Sequence, residues 1–227
     1  AEIVGQVMLV RRVQNLPPAL NLVFMGMGEP LLNLDAVRTA LELLSETISW
    51  RRITVSTAGV VPGIDGIAAW DRRPNLAVSL HAPDDARRDE IMPINRSYPL
   101  PELLDALRRF PLEPRRRITI EYILLAGFND APADAAALAR LLRKLPVKIN
   151  LIPFNPDPVL GERFRRPAPA AISRFQEALA ERHYTATVRR ARGDDVGAAC
   201  GQLRAFARAP RARPDHRHRG GAEKISP

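Results

Sequence analysis

The stretch ITIEYILL (residues 118–125) and the stretch KINLIP (residues 148–153) decide how this chain folds. Both are short and apolar, and both are rich in β-branched residues, which is typical of buried strands. A helical pattern over Pro132 to Leu145 separates them. Two strands joined by a helix form a βαβ unit, so these two strands are predicted to be parallel.

The same alternation continues in both directions along the chain. We predict further strands over residues 21–27, 52–56, 76–81 and 185–190. Helices are predicted from about Leu34, where Asn33 can act as the cap, and over residues 64–70, 84–91, 101–110 and 170–182. Strands and helices that alternate this often indicate an α/β fold with a parallel sheet.

Two α/β folds have such a sheet: the doubly wound nucleotide-binding fold and the (β/α) barrel. The first usually carries a glycine-rich phosphate loop after its first strand, and neither G-x-G-x-x-G nor G-x-x-x-x-G-K-[ST] occurs here. Small and polar residues instead recur where strands end: Gly28, Glu29, Ser56, Ser79 and Asn155. Functional residues at the carboxyl ends of several strands are the barrel arrangement, so we predict a barrel or part of one.

The composition excludes several classes of protein. The 227 residues are 46% hydrophobic and 26% charged, as in ordinary globular proteins. We find neither a secretory signal nor an apolar run of about 18 residues that would span a membrane. The only cysteine, Cys200, excludes an internal disulfide and a metal site built from cysteines alone, and the expected compartment is the cytoplasm.

The charge is compatible with a nucleic-acid partner, because the net value is +9. Only three of the 34 basic residues are lysine, a bias that a GC-rich genome also produces. Residues 204–227 contain seven basic and two acidic residues and little apolar content. We therefore expect a folded unit over residues 1–203 and a disordered basic tail over residues 204–227.

Each polar residue at a strand end allows two interpretations when it is taken alone. Glu29 lies between Gly28 and Pro30, where its carboxylate either binds an ammonium group or is a solvated acid in a turn. Ser56 and Ser79 either hydrogen-bond a ligand or cap their strands.

The same holds for three residues further along the chain. His81 is, by itself, more typical of a structural histidine than of a ligand. Asn155 either recognises an amino acid or a nucleobase, or forms an Asx turn before the next proline. Cys200 has small neighbours that let a partner approach its thiol, and its other interpretation is a small buried hydrophobic residue.

Five motifs stand in order along residues 1–203. They are M-G-M-G-E-P-L-L-N (25–33), S-T-A-G-V-V-P (56–62), S-L-H-A-P (79–83), N-L-I-P-F-N-P (150–156), and R-G-D-D (192–195) with A-C-G-Q-L (199–203). In this order they resemble the radical S-adenosylmethionine RNA adenine-C2 methyltransferases. The resemblance implies a partial (β/α) barrel of the radical S-adenosylmethionine type, with parallel strands, that lacks its first strand. An exposed sheet edge is expected at that place.

The resemblance also implies cofactors and residue roles. The family binds S-adenosylmethionine and a [4Fe-4S] cluster. Gly28 and Glu29 would bind the methionyl ammonium of S-adenosylmethionine, and the rest of the pocket would come from Ser56, Ser79, Leu80, His81 and Asn155. Cys200 would carry the methyl group, because a thiolate is a good nucleophile and adenine C2 is a poor one. No residue of this chain is expected to ligate metal, because the family's C-x-x-x-C-x-x-C loop is absent.

Members of this family methylate C2 of adenine in 23S rRNA, and many also modify tRNA, so both RNAs are expected partners. An external electron donor such as flavodoxin and a monomeric state are expected as well. The absent cluster loop and the start at Ala1 indicate a fragment that is inactive alone.

Three alternatives stay open: a related radical enzyme that acts at adenine C8, a non-catalytic RNA-binding barrel, and a metal-independent barrel lyase or isomerase. The last needs a catalytic lysine at the carboxyl end of a strand, whereas Lys148 begins its strand.

Overall fold

The strands form one sheet in which every neighbouring pair is parallel. The structure is a computed structural model and describes residues 1–17, 19–25, 28–155 and 163–189. Within these ranges six strands lie side by side in chain order. They are β1 (Leu22–Phe24), β2 (Ile53–Thr57), β3 (Asn75–Ser79), β4 (Ile118–Leu124), β5 (Val147–Pro153) and β6 (Ala186–Val188). Because the spatial order equals the chain order, the sheet advances in one direction, as in a barrel and unlike a doubly wound sheet.

Helices connect the strands, as the sequence predicts. The helix α1 (Glu2–Val13) precedes β1, and the connecting helices are α2 (Leu34–Ser45), α3 (Val61–Ala68), α4 (Asp85–Ile91), α5 (Leu100–Arg109), α6 (Pro132–Leu141) and α7 (Pro169–Ala180). The predicted bounds differ from these by a few residues. Asn33 precedes α2 as predicted, but its side chain makes no capping hydrogen bond, because a 3-10 turn over Pro30–Asn33 already leads into the helix. Of the helices that the structure describes, none has both the length and the apolarity to cross a bilayer.

Alternation along the strands gives the sheet two faces. In β4, Ile118, Ile120 and Tyr122 are fully buried in the core together with residues of the connecting helices. The intervening residues lie on the opposite face, which we call the inner face. Strand register aligns Ser79, Glu121, Asn150 and Thr187 in one row across β3 to β6 on this face. A polar row therefore crosses the inner face of a sheet whose other face is apolar.

Within the described residues, β1 and β6 are the edge strands of the sheet. Val23 of β1 is 48% exposed, so an apolar side chain is accessible at one edge of the sheet, which is where the sequence predicts an exposed edge. The helix α1, which precedes β1 in the chain and packs against α2, exposes Leu9 and Val13 to 63% and 67%.

Gly59 combines a positive φ with close buried neighbours. Its φ is +107°, and an added Cβ would lie 3.1 Å from Leu103 Cδ2 and 3.2 Å from Arg88 Nη2. We expect Gly59→Ala to lower the free energy of unfolding by about 1–3 kcal/mol, measured by urea unfolding, because L-residues avoid this φ and the neighbours are buried.

Gly28→Ala is the matched control for that substitution. Gly28 has a φ of +100°, but no heavy atom lies within 4 Å of the added Cβ. Both variants then lose stability because an alanine is strained at a positive φ. Only Gly59→Ala also loses stability through close contacts of the added Cβ. Equal losses of stability in the two variants would show that the contacts with Leu103 and Arg88 contribute nothing.

Candidate functional site

Residues that the sequence singles out lie at one edge of the sheet. Glu29 follows β1, Ser56 is the penultimate residue of β2, Ser79 ends β3, His81 follows β3, and Asn155 follows β5. Because all six strands are parallel, their carboxyl ends meet at this edge. The structure therefore places these five residues at the position where barrel folds carry their sites.

Glu29 is a half-buried acid whose carboxylate is held in place by the backbone. The Leu31 N–H donates to Oε1 at 3.0 Å, and the Ala58 N–H donates to Oε2 at 2.7 Å. The second bond joins the loop after β1 to the turn after β2. Each carboxylate oxygen can accept more than one hydrogen bond, so a cationic ligand can still pair with Glu29. Gly28 beside it is exposed, and among the described residues no heavy atom lies within 4 Å of a Cβ built at this position.

His81 adopts an unusual backbone conformation with a φ of +61°. Its Nδ1 accepts a hydrogen bond from the Ile123 N–H at 3.2 Å, which assigns the proton of the neutral ring to Nε2. Desolvation by burial, with a smaller contribution from the charge of Arg88, lowers the pKa of His81 from 6.5 to about 4. His81 is therefore neutral at pH 7, with its ring proton on Nε2.

The remaining predicted residues differ in what they expose. Ser56 is buried on the inner face. Leu80 is fully buried in the core, and its backbone groups are already hydrogen-bonded: its N–H donates to the Glu121 carbonyl at 3.0 Å, and its carbonyl accepts from Arg88 Nε at 3.1 Å and from the Ala82 N–H at 2.8 Å. Asn155 is half-buried, and its Oδ1 accepts a hydrogen bond from Arg166 Nη1 at 2.9 Å. Cys200, the motifs over residues 192–195 and 199–203, and the basic tail over residues 204–227 lie outside the described residues.

Asn129 is one functional neighbour that sequence reasoning missed. It is fully buried, and its Nδ2 donates to the carbonyls of His81 at 2.7 Å and Ile123 at 2.8 Å. Its Oδ1 accepts from the Leu125 N–H at 2.8 Å. The first of these contacts holds the loop after β4 against the segment that contains His81, and the other two fix Asn129 at the end of β4. The Asn-Asp pair at residues 129–130 is a sequence signal for a turn, but the partner across the sheet carries no such signal.

Arg88 is the second residue that was missed. It is fully buried in α4 and donates to backbone carbonyls at the ends of β2 and β3. The helix reads DARRDEI, so five of its seven residues are charged and nothing in the sequence distinguishes the buried arginine from its solvated neighbours.

Glu121 and Asn150 form a polar pair on the inner face. Asn150 Nδ2 donates to Glu121 Oε2 at 2.8 Å, and Glu121 is 4% exposed. Burial raises the pKa of Glu121, and the hydrogen bond from Asn150 opposes that rise. The pair lies in the same row as Ser79, so a carboxyl group stands one strand away from a predicted ligand-binding serine.

The site suits an ammonium-bearing ligand better than it suits a metal cluster. The fixed carboxylate of Glu29, an open glycine and a neutral imidazole donor fit the methionyl end of S-adenosylmethionine. A [4Fe-4S] cluster is held by cysteine thiolates, and the sequence has one cysteine. Over the described ranges no group of three or more His, Cys, Asp or Glu side chains is placed to hold a metal ion. The residues of this chain do not fit the cluster.

The lowered pKa of His81 predicts that acid destabilises the fold. The folded pKa of about 4 lies below the ordinary 6.5, so the unfolded chain binds a proton first as the pH falls. The stabilisation is complete above about pH 6.5 and is lost progressively down to about pH 4. Urea unfolding at a series of pH values measures this slope.

His81→Asn keeps a residue that tolerates positive φ and should flatten the slope over this pH range. His183→Gln replaces an exposed histidine and should leave the slope as in the unchanged chain. An unchanged slope in His81→Asn would mean that other groups cause the acid sensitivity.

Sequence comparisons place the chain among radical S-adenosylmethionine proteins. The model of the Radical SAM superfamily matches residues 6–142. The chain is 55% identical over 192 residues to "dual-specificity RNA methyltransferase RlmN" of Anaeromyxobacter dehalogenans, covering 83% of this chain and 51% of that protein. It is 54% identical over 208 residues to the protein of the same name from Geobacter sulfurreducens, covering 90% and 56%. The chain therefore spans about half the length of the curated relatives it matches.

Solved structures give the same assignment. The crystal structure of a radical SAM methyltransferase from Sphaerobacter thermophilus superposes with a TM-score of 0.82 at 46% identity, covering 88% of this chain and 60% of that one. A domain of pyruvate-formate lyase-activating enzyme from Bacteroides vulgatus gives a TM-score of 0.59 at 17% identity, covering 76% and 100%, which shows a shared fold alone. The prediction of a partial barrel of this type is confirmed, and the chain belongs to the Radical SAM superfamily.

Proposed function

We propose that this chain supplies the S-adenosylmethionine site and the methyl-carrying cysteine of an enzyme that methylates C2 of adenine in 23S rRNA and tRNA. The observation that carries the proposal is the carboxylate of Glu29, fixed at the strand ends within a motif that resembles this family. The 55% identity to a protein named dual-specificity RNA methyltransferase supports the reaction and the RNA substrates.

Charge complementarity supports S-adenosylmethionine as the ligand. The molecule carries an ammonium, a carboxylate and a sulfonium, so an anion beside the ammonium and uncharged groups near the sulfonium favour it. Glu29 supplies the anion beside Gly28, and neutral His81 supplies a donor that adds no positive charge near the sulfonium. Ser56, Ser79 and Asn155 would add hydrogen bonds from their side chains, and Leu80 would complete the pocket.

Cys200 would take the methyl group first. In this step its thiolate sulfur forms a bond to the methyl carbon while the bond from that carbon to the sulfonium breaks. The electron pair stays on the departing sulfur, which leaves S-adenosylhomocysteine, and the thiol proton goes to solvent. The later radical chemistry of the superfamily needs a [4Fe-4S] cluster, and no step of it is assigned to residues of this chain.

Partners complete the proposal. A net charge of +9 gives the chain favourable long-range electrostatics toward RNA phosphates. An external electron donor such as flavodoxin and a monomeric enzyme are part of the same proposal.

Glu29→Gln should weaken S-adenosylmethionine binding by about 10- to 100-fold, because a hydrogen bond to a charged group contributes about 1.5–3 kcal/mol. The measurement is the KM for S-adenosylmethionine and its dissociation constant in the full-length enzyme. Glu113→Gln is the control, since Glu113 precedes β4 at the opposite edge and pairs with Arg51 and Arg116. A KM for Glu29→Gln equal to that of the control would show that the acid is only a structural cap.

Cys200→Ala should abolish RNA methylation and leave S-adenosylmethionine binding largely intact, because the carrier thiol is lost while the pocket remains. Peptide mass spectrometry of the unchanged full-length enzyme should show an S-methyl group on Cys200, and nucleoside analysis of treated RNA should show 2-methyladenosine. Retained methylation in the variant would exclude Cys200 as carrier. Formation of 8-methyladenosine would contradict the proposed position on the base.

A further inference from the structure

The guanidinium of Arg88 is fully buried and donates hydrogen bonds to four acceptors. Nε donates to the Leu80 carbonyl at 3.1 Å, and Nη2 donates to the carbonyls of Ala58 at 2.7 Å and Ser79 at 3.1 Å. Nη1 donates to Asn95 Oδ1 at 2.7 Å. Three of these acceptors are backbone carbonyls at the carboxyl ends of β2 and β3.

The same contacts reach the loop after β1. Ala58 donates its N–H to Glu29 Oε2 and accepts a hydrogen bond from Arg88 on its carbonyl. One residue therefore separates the Glu29 carboxylate from Arg88, and Arg88 in turn holds Ser79 and Leu80. Segments from three successive βα units are joined through one side chain at the proposed ligand-binding edge.

The charge of Arg88 is balanced on the side away from this edge. Asn95 accepts from Arg88 and passes its own Nδ2 hydrogens to Asp85 Oδ1 at 2.9 Å and Asp89 Oδ1 at 2.7 Å. Burial lowers the pKa of Arg88 to about 10, so the side chain is still charged at neutral pH. The Asn95 amide stands between Arg88 and the carboxylates of Asp85 and Asp89. The N–H groups of Nε and Nη2 therefore donate to the strand-end carbonyls.

We infer that Arg88 is a positioning residue for S-adenosylmethionine: its guanidinium holds the ends of β2 and β3, and through Ala58 the Glu29 carboxylate, in one fixed arrangement. The inference rests on the proposed function of this edge. A planar guanidinium reaches separate carbonyls in one plane, whereas a lysine ammonium has three donors on a single nitrogen and cannot span them.

Arg88→Lys in the full-length enzyme tests the inference. The KM for S-adenosylmethionine should rise about tenfold or more, because small displacements of positioning groups have effects of this size. The KM for RNA should stay within about twofold, since the fully buried side chain of Arg88 cannot contact RNA. Hydrogen exchange should accelerate at the amides of Ala58 and Leu80 in the absence of any ligand.

Arg87→Gln is the matched control on the same helix. Arg87 pairs with Asp84 and Asp134 and donates to the Phe128 carbonyl, so its loss lowers stability without touching β2 or β3. The control should lower the melting temperature and leave the KM for S-adenosylmethionine unchanged. An Arg88→Lys variant that behaves in the same way, with unchanged exchange at Ala58 and Leu80, would overturn the positioning role.

Two further experiments complete the test. If Arg88→Lys does not fold, Asn95→Ser is used in its place, because it removes the acceptor of Nη1. This variant should give a smaller rise in the KM for S-adenosylmethionine, and an unchanged KM would overturn the inference. Equilibrium dialysis with labelled S-adenosylmethionine separates this inference from the proposed reaction. Binding that depends on Arg88 without RNA methylation contradicts only the reaction, and absence of binding by the unchanged enzyme contradicts both.

Discussion

Carbonyl groups at the carboxyl ends of parallel strands need hydrogen-bond donors once their strands stop pairing, and in this protein one buried arginine supplies them. Arg88 donates hydrogen bonds to the carbonyls of Ala58, Ser79 and Leu80, and the Ala58 N–H donates to the Glu29 carboxylate. A buried polar group without a partner is costly, so these bonds determine how the loops after β2 and β3 leave the sheet. Gly59 follows from the same constraint, because a side chain at that position would contact the guanidinium.

The electrostatics of the edge follow from which groups are buried and how they are paired. Glu29 accepts two backbone N–H bonds, His81 is kept neutral by desolvation, and Asn129 fixes the carbonyl of His81. On the inner face Glu121 is buried against Asn150, in the row that also contains Ser79. The result is a carboxyl edge with one anchored anion and neutral donors around it, which is the complement of a ligand that carries two positive groups.

The sheet also explains why β1 presents an apolar side chain to solvent. Six parallel strands in chain order form a layer with two edges in the described residues, and the exposed side chain of Val23 lies on the first of these edges. The curated relatives that match are about twice as long as the matched region. (β/α) barrels carry their sites at the carboxyl edge of the strands, which here carries the Glu29 and His81 segments.

The sequence by itself determined the βαβ alternation, the parallel sheet and the superfamily. It also determined that Glu29, Ser56, Ser79, His81 and Asn155 lie at strand ends. Both follow because hydrophobic periodicity and strand-end motifs are local properties of the chain. Only the tertiary structure decided which charged residue of DARRDEI is buried, that Asn129 reaches His81 across the sheet, and that Glu121 pairs with Asn150. Such contacts join residues tens of positions apart, and burial of a polar side chain depends on partners that no local pattern encodes. The tertiary structure also corrected Asn33, whose capping bond is absent because a preceding 3-10 turn already begins the helix.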